Sequence, residues 1–473
     1  MSKKYLYGAS VQGIQQFIFQ TNELKTIGEA SDLVESICKD MFTEFEKGGE
    51  IIQKAAGNIR YLFSDEEACK RAAREFPKKV LTLVPGITIS QAVVCFQQGD
   101  DFAKVKDNLE KKLHTQRNRP LRSMTIGLMG IKRDSKSGLP LLLSKSGTHK
   151  NVTKTLCEKS FGAEELEHSS IPYNIEDMTG KNDWIAIIHA DGNGLGRVVE
   201  IVSQRGSDAL KSFSENLDKA TVKAARSTYA SIITGKEFEN EKEKIPFRPV
   251  VLGGDDMTII CRADLAMDYA KLFMSNFEKY TKDFIGEELT ACAGIAFVKS
   301  SYPFYYGYEL AESLCSQAKK RAKAISEDKA PSCLMFHKVQ SSFVEDYSEI
   351  IKKELTPQAG HSYVFGPYFL NPQGDWWTVG KLEENVHAMD KGEGNKAKSH
   401  IRQWMTLMSE DKGKAEQKSK RIEQVGSKKV KEVFTTATQG IEFEGKTLYP
   451  AFDLLALHSV IYQETKNKEK EEK

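Results

Sequence analysis

Residues 250–260 constrain this chain more than any other stretch. Apolar residues on both sides of Gly253-Gly254-Asp255-Asp256 predict a β-hairpin whose tip carries two adjacent carboxylates. The glycines give the backbone freedom and let a phosphate approach the main chain closely. Two carboxylates at the start of a strand can hold Mg²⁺, which takes a few hard oxygen ligands and completes its shell with substrate phosphates. An ordinary tight turn with solvated acids would use the same residues, so the motif alone leaves both readings open.

A second stretch, residues 184–196, is an apolar run ending in Asp191 and a turn that contains Gly192, Asn193, Gly194 and Gly196. A strand, an acid and a glycine-rich turn into a helix form a place where phosphates and metal can meet. Beside the hairpin, Asp191 would complete a carboxylate cluster suited to nucleotidyl transfer with two metals. Asp191 could instead be a helix N-cap, but capping alone would not need the glycines.

This order of strand, Asp191, helix and Gly253-Gly254-Asp255-Asp256 hairpin resembles the palm domains of nucleotide cyclases and GGDEF-type cyclases. It is more similar still to the second palm of the large subunit of type III CRISPR effector complexes. Residues 289–297 resemble that family's next core strand. The turn Tyr302-Pro303-Phe304 and a helix over 310–324, carrying Lys319, Lys320, Arg321 and Lys323, resemble its phosphate-side helix. The resemblance covers roughly 180–340.

The first half repeats the second in degraded form. Ala9-Ser10-Val11-Gln12-Gly13-Ile14 aligns without gaps on residues 190–195, and residues 55–62 align on 253–260. An amphipathic helix over 30–47, a helix over 65–76 and a strand over 87–96 would complete a β-α-β-β-α-β unit. Ser10, Gly57 and Asn58 stand where Asp191, Asp255 and Asp256 stand later, so this copy cannot hold Mg²⁺ in the same way, though it can wall a nucleotide pocket. The expected fold class is α+β, with two ferredoxin-like, palm (nucleotide cyclase-like) domains facing each other and a helical C-terminal domain. The expected segments are a degenerate first palm over 1–100, a linker over 101–180, a catalytic second palm over 181–340 and the helical domain over 341–473.

Elsewhere the sequence is less specific. The linker has a plausible helix over 102–113 and a basic stretch from Lys104 to Arg133 that reads as a solvated face or as an RNA or protein contact. Large subunits of this family commonly carry a cysteine zinc site there; residues 128–140 contain no cysteine, so no zinc is expected. Many members begin with a His-Asp nuclease domain, whereas this chain starts at the first palm and has no His-Asp dipeptide, so no DNase activity is expected. Past 340, helices are expected over 379–387, 397–408 and 414–434, and residues 412–431 hold eight basic residues against two glutamates. The net charge, 68 − 66 = +2, demands no nucleic-acid partner. No run approaches the roughly 20 apolar residues of a membrane helix. Without a signal-peptide core or Cys-x-x-Cys pair, a cytoplasmic protein with buried thiols is the expectation.

A nucleoside triphosphate would place Mg²⁺ or Mn²⁺ on Asp191, Asp255 and Asp256. Gly192, Asn193, Gly194, Gly253 and Gly254 would receive its phosphates at close backbone approach. Lys319, Lys320 and Lys323, with two or three on one helix face, would reach the β- and γ-phosphates, and Ser10 would contact nucleotide from the first copy. The resemblance implies ATP as substrate, 3′–5′ nucleotidyl transfer to cyclic oligoadenylate in antiviral defence, and guide or target RNA and other effector subunits as partners. A catalytically silent RNA-binding scaffold and a GGDEF-like dinucleotide cyclase are the alternatives.

Overall fold

The computed structural model describes residues 3–18, 30, 33, 34, 36–46, 48–55, 57–84, 87–97, 99–119, 148–162, 170–179, 184–235, 244–327, 329–340, 346–390 and 392–462. The expectations for residues 122–147 and for the charged end over 466–473 lie outside them. The chain divides into two compact units: Met1–Asp177 with Gly194–Met257 and Lys279–Glu288, and Met178–Asn193 with Thr258–Glu278 and Leu289–Lys473.

The first unit begins with strand β1 (Lys3–Gln12) and the short helix α1 (Ile14–Ile18). Strands β2 (Gly49–Ala55) and β3 (Asn58–Phe63), helix α2 (Glu66–Leu83) and strand β4 (Thr88–Gln97) follow. The sheet order is β2-β3-β1-β4, and β1 runs antiparallel to both β3 and β4, the arrangement of a ferredoxin-like unit. Asp65 caps α2 by accepting from the Ala68 amide at 2.8 Å, and the helix continues through Pro77 beyond the expected end at 76. Of the helix expected over 30–47, the described part closes as a π-turn, Ile37–Met41, and a 3-10 turn, Thr43–Phe45.

Alternation along β1 gives this sheet two buried faces. On one, Tyr7 stacks on Phe42 with centroids 5.8 Å apart, and Phe42 meets Phe76 of α2 edge-on at 5.1 Å. On the other, Leu6, Leu62 and Val94 pack with Leu109 and Leu113 of α3 (Phe102–Arg117). The expected linker helix over 102–113 is therefore real and covers the first palm's sheet. Helices α4 (Thr148–Phe161), α5 (Leu195–Ser203) and α6 (Ser207–Gly235) precede strand β6 (Phe247–Gly253) in this unit.

Strand β5 (Trp184–Gly192) is apolar and buried along nearly its whole length, as a central strand covered on both faces must be. With β7 (Asp256–Arg262), helix α7 (Ala266–Ile285), β8 (Ala291–Lys299), helix α8 (Phe304–Ile325) and β9 (Cys333–Lys338) it builds the second palm. The six-stranded sheet has the order β11-β9-β8-β5-β7-β6, where β11 is Tyr368–Phe369. Its inner order β8-β5-β7-β6 is that of β4-β1-β3-β2 in the first sheet. Gly294 in β8 is required by close approach: a Cβ there would lie 1.9 Å from the Ala311 carbonyl oxygen of α8.

The C-terminal region is helical, as expected: α9 (Tyr347–Lys353), α10 (Val379–Asp390), α11 (Gly394–Glu410), α12 (Lys412–Val425), α13 (Lys428–Thr438) and α14 (Ala451–Ile461). The single helix expected over 414–434 is two helices, because Gly426 adopts an extended backbone that ends α12. A three-stranded sheet, β10 (His361–Ser362), β13 (Lys446–Leu448) and β12 (Ile441–Phe443), was not anticipated. Arg321 of α8 ties the palm to this region by donating to the carbonyls of Val364, at 3.0 Å, and Gly366. Among the described residues no helix is long and apolar enough to cross a membrane.

Candidate metal and nucleotide site

Asp191 occupies the penultimate position of β5, and Asp256 opens β7, its neighbour in the sheet. Asp191, Asp255 and Asp256 each offer one carboxylate oxygen, and these atoms lie within 4.8 Å of one another, all three residues half-buried. Three like charges this close repel one another, and a divalent cation relieves that repulsion. A set of hard oxygen donors without histidine or thiolate suits Mg²⁺ or Mn²⁺ rather than a softer metal.

The hairpin tip is held from one side. Gly254 is the first central residue of the turn and has φ +62°, where a two-residue hairpin of the II′ kind needs glycine. From α6, Thr221 donates to the Gly254 carbonyl at 2.5 Å, and Asp218 accepts from the Gly254 amide at 3.3 Å. Lys159 of α4 donates to the Leu252 carbonyl at 3.0 Å and lies 3.6 Å from Asp218. Sequence reasoning missed these three residues. The one local signal was that Asp218 and Thr221 are spaced to share a helix face.

Lys319 is brought to the cluster: its ammonium donates to the Asp191 carboxylate and, at 2.9 Å, to the Gly192 carbonyl. Burial works against its charge, but attraction to Asp191 and the hydrogen bond outweigh it, leaving its pKa above the ordinary lysine value. Lys320 and Lys323 lie exposed on the same helix. Gly194 heads α5 with φ +70°, and open space surrounds it. Asn193 is tied down within the turn, where its amide donates to the Thr290 carbonyl at 2.8 Å. Its side chain is buried and donates to Thr290 Oγ1 at 3.1 Å, so it anchors the turn from below.

His189, two residues before Asp191, was not anticipated as support for the site. Its Nδ1 lies 3.1 Å from Thr258 Oγ1, and burial pushes its pKa down to about 4, with Asp191 pulling the other way. It is a neutral, packed residue beneath the carboxylate. In the first palm, Ser10 donates to Asn58 Oδ1 at 2.9 Å, so a neutral hydrogen bond stands at the positions aligned with Asp191 and Asp256.

A ferredoxin-like sheet with a Gly-Gly-Asp-Asp hairpin and a third acid on the adjacent strand defines a palm domain of the nucleotide-cyclase class. Within this chain, residues 184–326 match the family model of the Cas10/Cmr2 second palm domain. No curated protein matches it in sequence. Its fold is similar to that of the Csm1–Csm4 cassette in complex with cA4, with TM-score 0.60, 13% identity, and coverage of 97% of this chain and 69% of that one. The cassette in complex with one ATP gives TM-score 0.60, 13% identity, 97% and 70%. The Csm1–Csm4 subcomplex of the type III-A CRISPR-Csm interference complex gives 0.56, 14%, 97% and 69%.

Proposed function

We propose that this chain is a metal-dependent nucleotidyltransferase that makes cyclic oligoadenylate from ATP in CRISPR-linked antiviral defence, alongside other effector subunits and guide or target RNA. One observation carries the reading: three carboxylate oxygens converge within 4.8 Å in a palm of the Cas10/Cmr2 kind. Fold relatives solved with ATP, pppApA and cA4 support it.

In this reading Asp191, Asp255 and Asp256 hold Mg²⁺ or Mn²⁺. The ion supplies charge neutralisation at the α-phosphate and leaving pyrophosphate and eases loss of the ribose hydroxyl proton. The backbone over 192–196 receives phosphate oxygens at the start of α5, with Gly253 and Gly254 leaving room at the hairpin. Lys319 gives up Asp191 and turns to a phosphate, joined by Lys320 and Lys323 as point charges. Ser10 contributes nucleotide contact from the first palm. The four segments 1–100, 101–180, 181–340 and 341–473 belong to the same proposal.

Lys319 on Asp191 is also the observation that favours a second reading, a silent RNA-binding scaffold, because an ammonium there does part of a metal's electrostatic work. Incubation with each nucleoside triphosphate and Mg²⁺ or Mn²⁺, with target RNA and partner subunits supplied, separates the two. Mass spectrometry should find cyclic oligoadenylate from ATP; no product under any condition leaves the scaffold.

A further inference from the structure

At the other end of β5 a cavity of about 910 Å³ opens beside Trp184. Trp184 and Asp191 are seven residues apart on one strand, which separates this cavity from the carboxylates by about 23 Å. Three cationic residues from three elements line it: Lys299 at the end of β8, Lys338 at the end of β9 and Arg402 of α11. Lys299 is the register partner of Trp184, and its ammonium lies 4.5 Å from the indole centroid. The Lys338 ammonium is 4.2 Å from the same ring and donates to Ser459 Oγ at 2.5 Å.

Among the described residues that line the cavity there is no carboxylate. Indole attraction offsets part of the repulsion between the two ammonium groups. The rest shows at Lys338, whose pKa falls to about 8 through burial and then through Lys299 and Arg402. Like charges gathered on a concave aromatic wall are unfavourable in the free protein and favourable around a multiply charged anion. Three cations spread over one concave wall match the several charges of a polyphosphate or of consecutive phosphodiesters better than the one charge of a carboxylate. The volume falls in the range of small-molecule sites, about 300–1,000 Å³, and Tyr302 and Met405 supply apolar wall for a base.

We propose that this cavity is a second, metal-independent site for a nucleotide phosphate chain, held by Lys299, Lys338 and Arg402 on the Trp184 wall. Its ligand is a free nucleotide or a segment of single-stranded RNA, which share this chemistry.

Equilibrium binding in EDTA tests it, because the Asp191–Asp255–Asp256 site then takes no metal-dependent part. The probes are a fluorescent ATP derivative and a 5′-labelled oligoadenylate RNA, with the full-length wild type, Lys299→Gln/Arg402→Gln and the charge-keeping Lys299→Arg/Arg402→Lys. The wild type should bind at least one probe, the neutral double variant at least tenfold more weakly, and the charge-keeping variant close to wild type. Tighter RNA binding with a steep loss in salt assigns a strand; equal or tighter ATP binding assigns a free nucleotide. Binding that is absent in the wild type, or unchanged in the folded neutral variant, overturns the proposal. Melting temperature is the folding control.

Discussion

The Lys319 ammonium donates to the Asp191 carboxylate and, at 2.9 Å, to the Gly192 carbonyl, so one cation closes the end of β5. A metal at Asp191 has to compete with it. Lys319→Met should therefore bind Mn²⁺ more tightly without nucleotide, while ATP turnover falls at least tenfold through loss of the phosphate contact. Isothermal titration with Mn²⁺ and pyrophosphate release check the two halves. Weaker Mn²⁺ binding by the variant would show that Lys319 supports the carboxylates rather than competing for them.

Thr221 holds the hairpin tip through the Gly254 carbonyl at 2.5 Å. Thr221→Val removes that donor and should cost about 1 kcal/mol of stability, a drop of roughly 2–4 °C in melting temperature. Turnover should fall more than this loss suggests, about tenfold, because the tip positions two of the three acids. Thr221→Ser keeps the hydroxyl and should restore it. Wild-type turnover in the valine variant would remove Thr221 from the positioning role.

Stability should fall on acidification, with a sign set by three buried groups. Burial pushes His189 and His337 down to about 4, so between pH 6.5 and 4 the unfolded chain takes up protons that the folded chain refuses. Asp453 opposes them: burial raises its carboxyl to about 7, and the folded chain holds that proton down to the unfolded value near 3.9. Two groups against one leave a net loss of stability as pH falls, and burial lowers His458 in the same direction as the other two histidines. Asp453→Asn removes the opposing group, so its melting temperature should fall more steeply than the wild type's between pH 6.5 and 4.5. Parallel slopes would contradict this assignment.

Ser10 bonds Asn58 in the first palm, at the positions aligned with Asp191 and Asp256. Ser10→Ala should destabilise by about 1 kcal/mol and lower ATP turnover only a few-fold, through nucleotide positioning. A loss as complete as that of an acid variant would make the first palm catalytic.

The two sheets were legible because their signals are local: apolar runs of strand length, glycines at the turns, and acids present in one copy and replaced in the other. Gly13 and Gly194, aligned by sequence alone, have φ +63° and +70°. Less legible were residues whose roles depend on distant partners. Asn193 reads as a phosphate-loop residue until Thr290, 97 positions on, claims its side chain. Asp218 and Thr221 look like ordinary helix residues until Gly254 meets them. The helix Ala451–Ile461 is apolar nearly all round and shows no amphipathic period to mark it. The cationic cavity takes its residues from five separate elements and the turn after β8, so no sequence window contains it.

The central claim is that turnover rests on the second palm's three acids. Pyrophosphate release from ATP with Mg²⁺ or Mn²⁺, measured for wild type, Asp191→Asn and Asp255→Asn/Asp256→Asn, tests it most directly, with melting temperature as the folding control. Both variants should lose release to background while staying folded; Asp255→Asn/Asp256→Asn should melt close to wild type, and Asp191→Asn somewhat lower because Lys319 loses its carboxylate partner. Unchanged release by the folded Asp255/Asp256 variant would contradict it and place the metals on other residues.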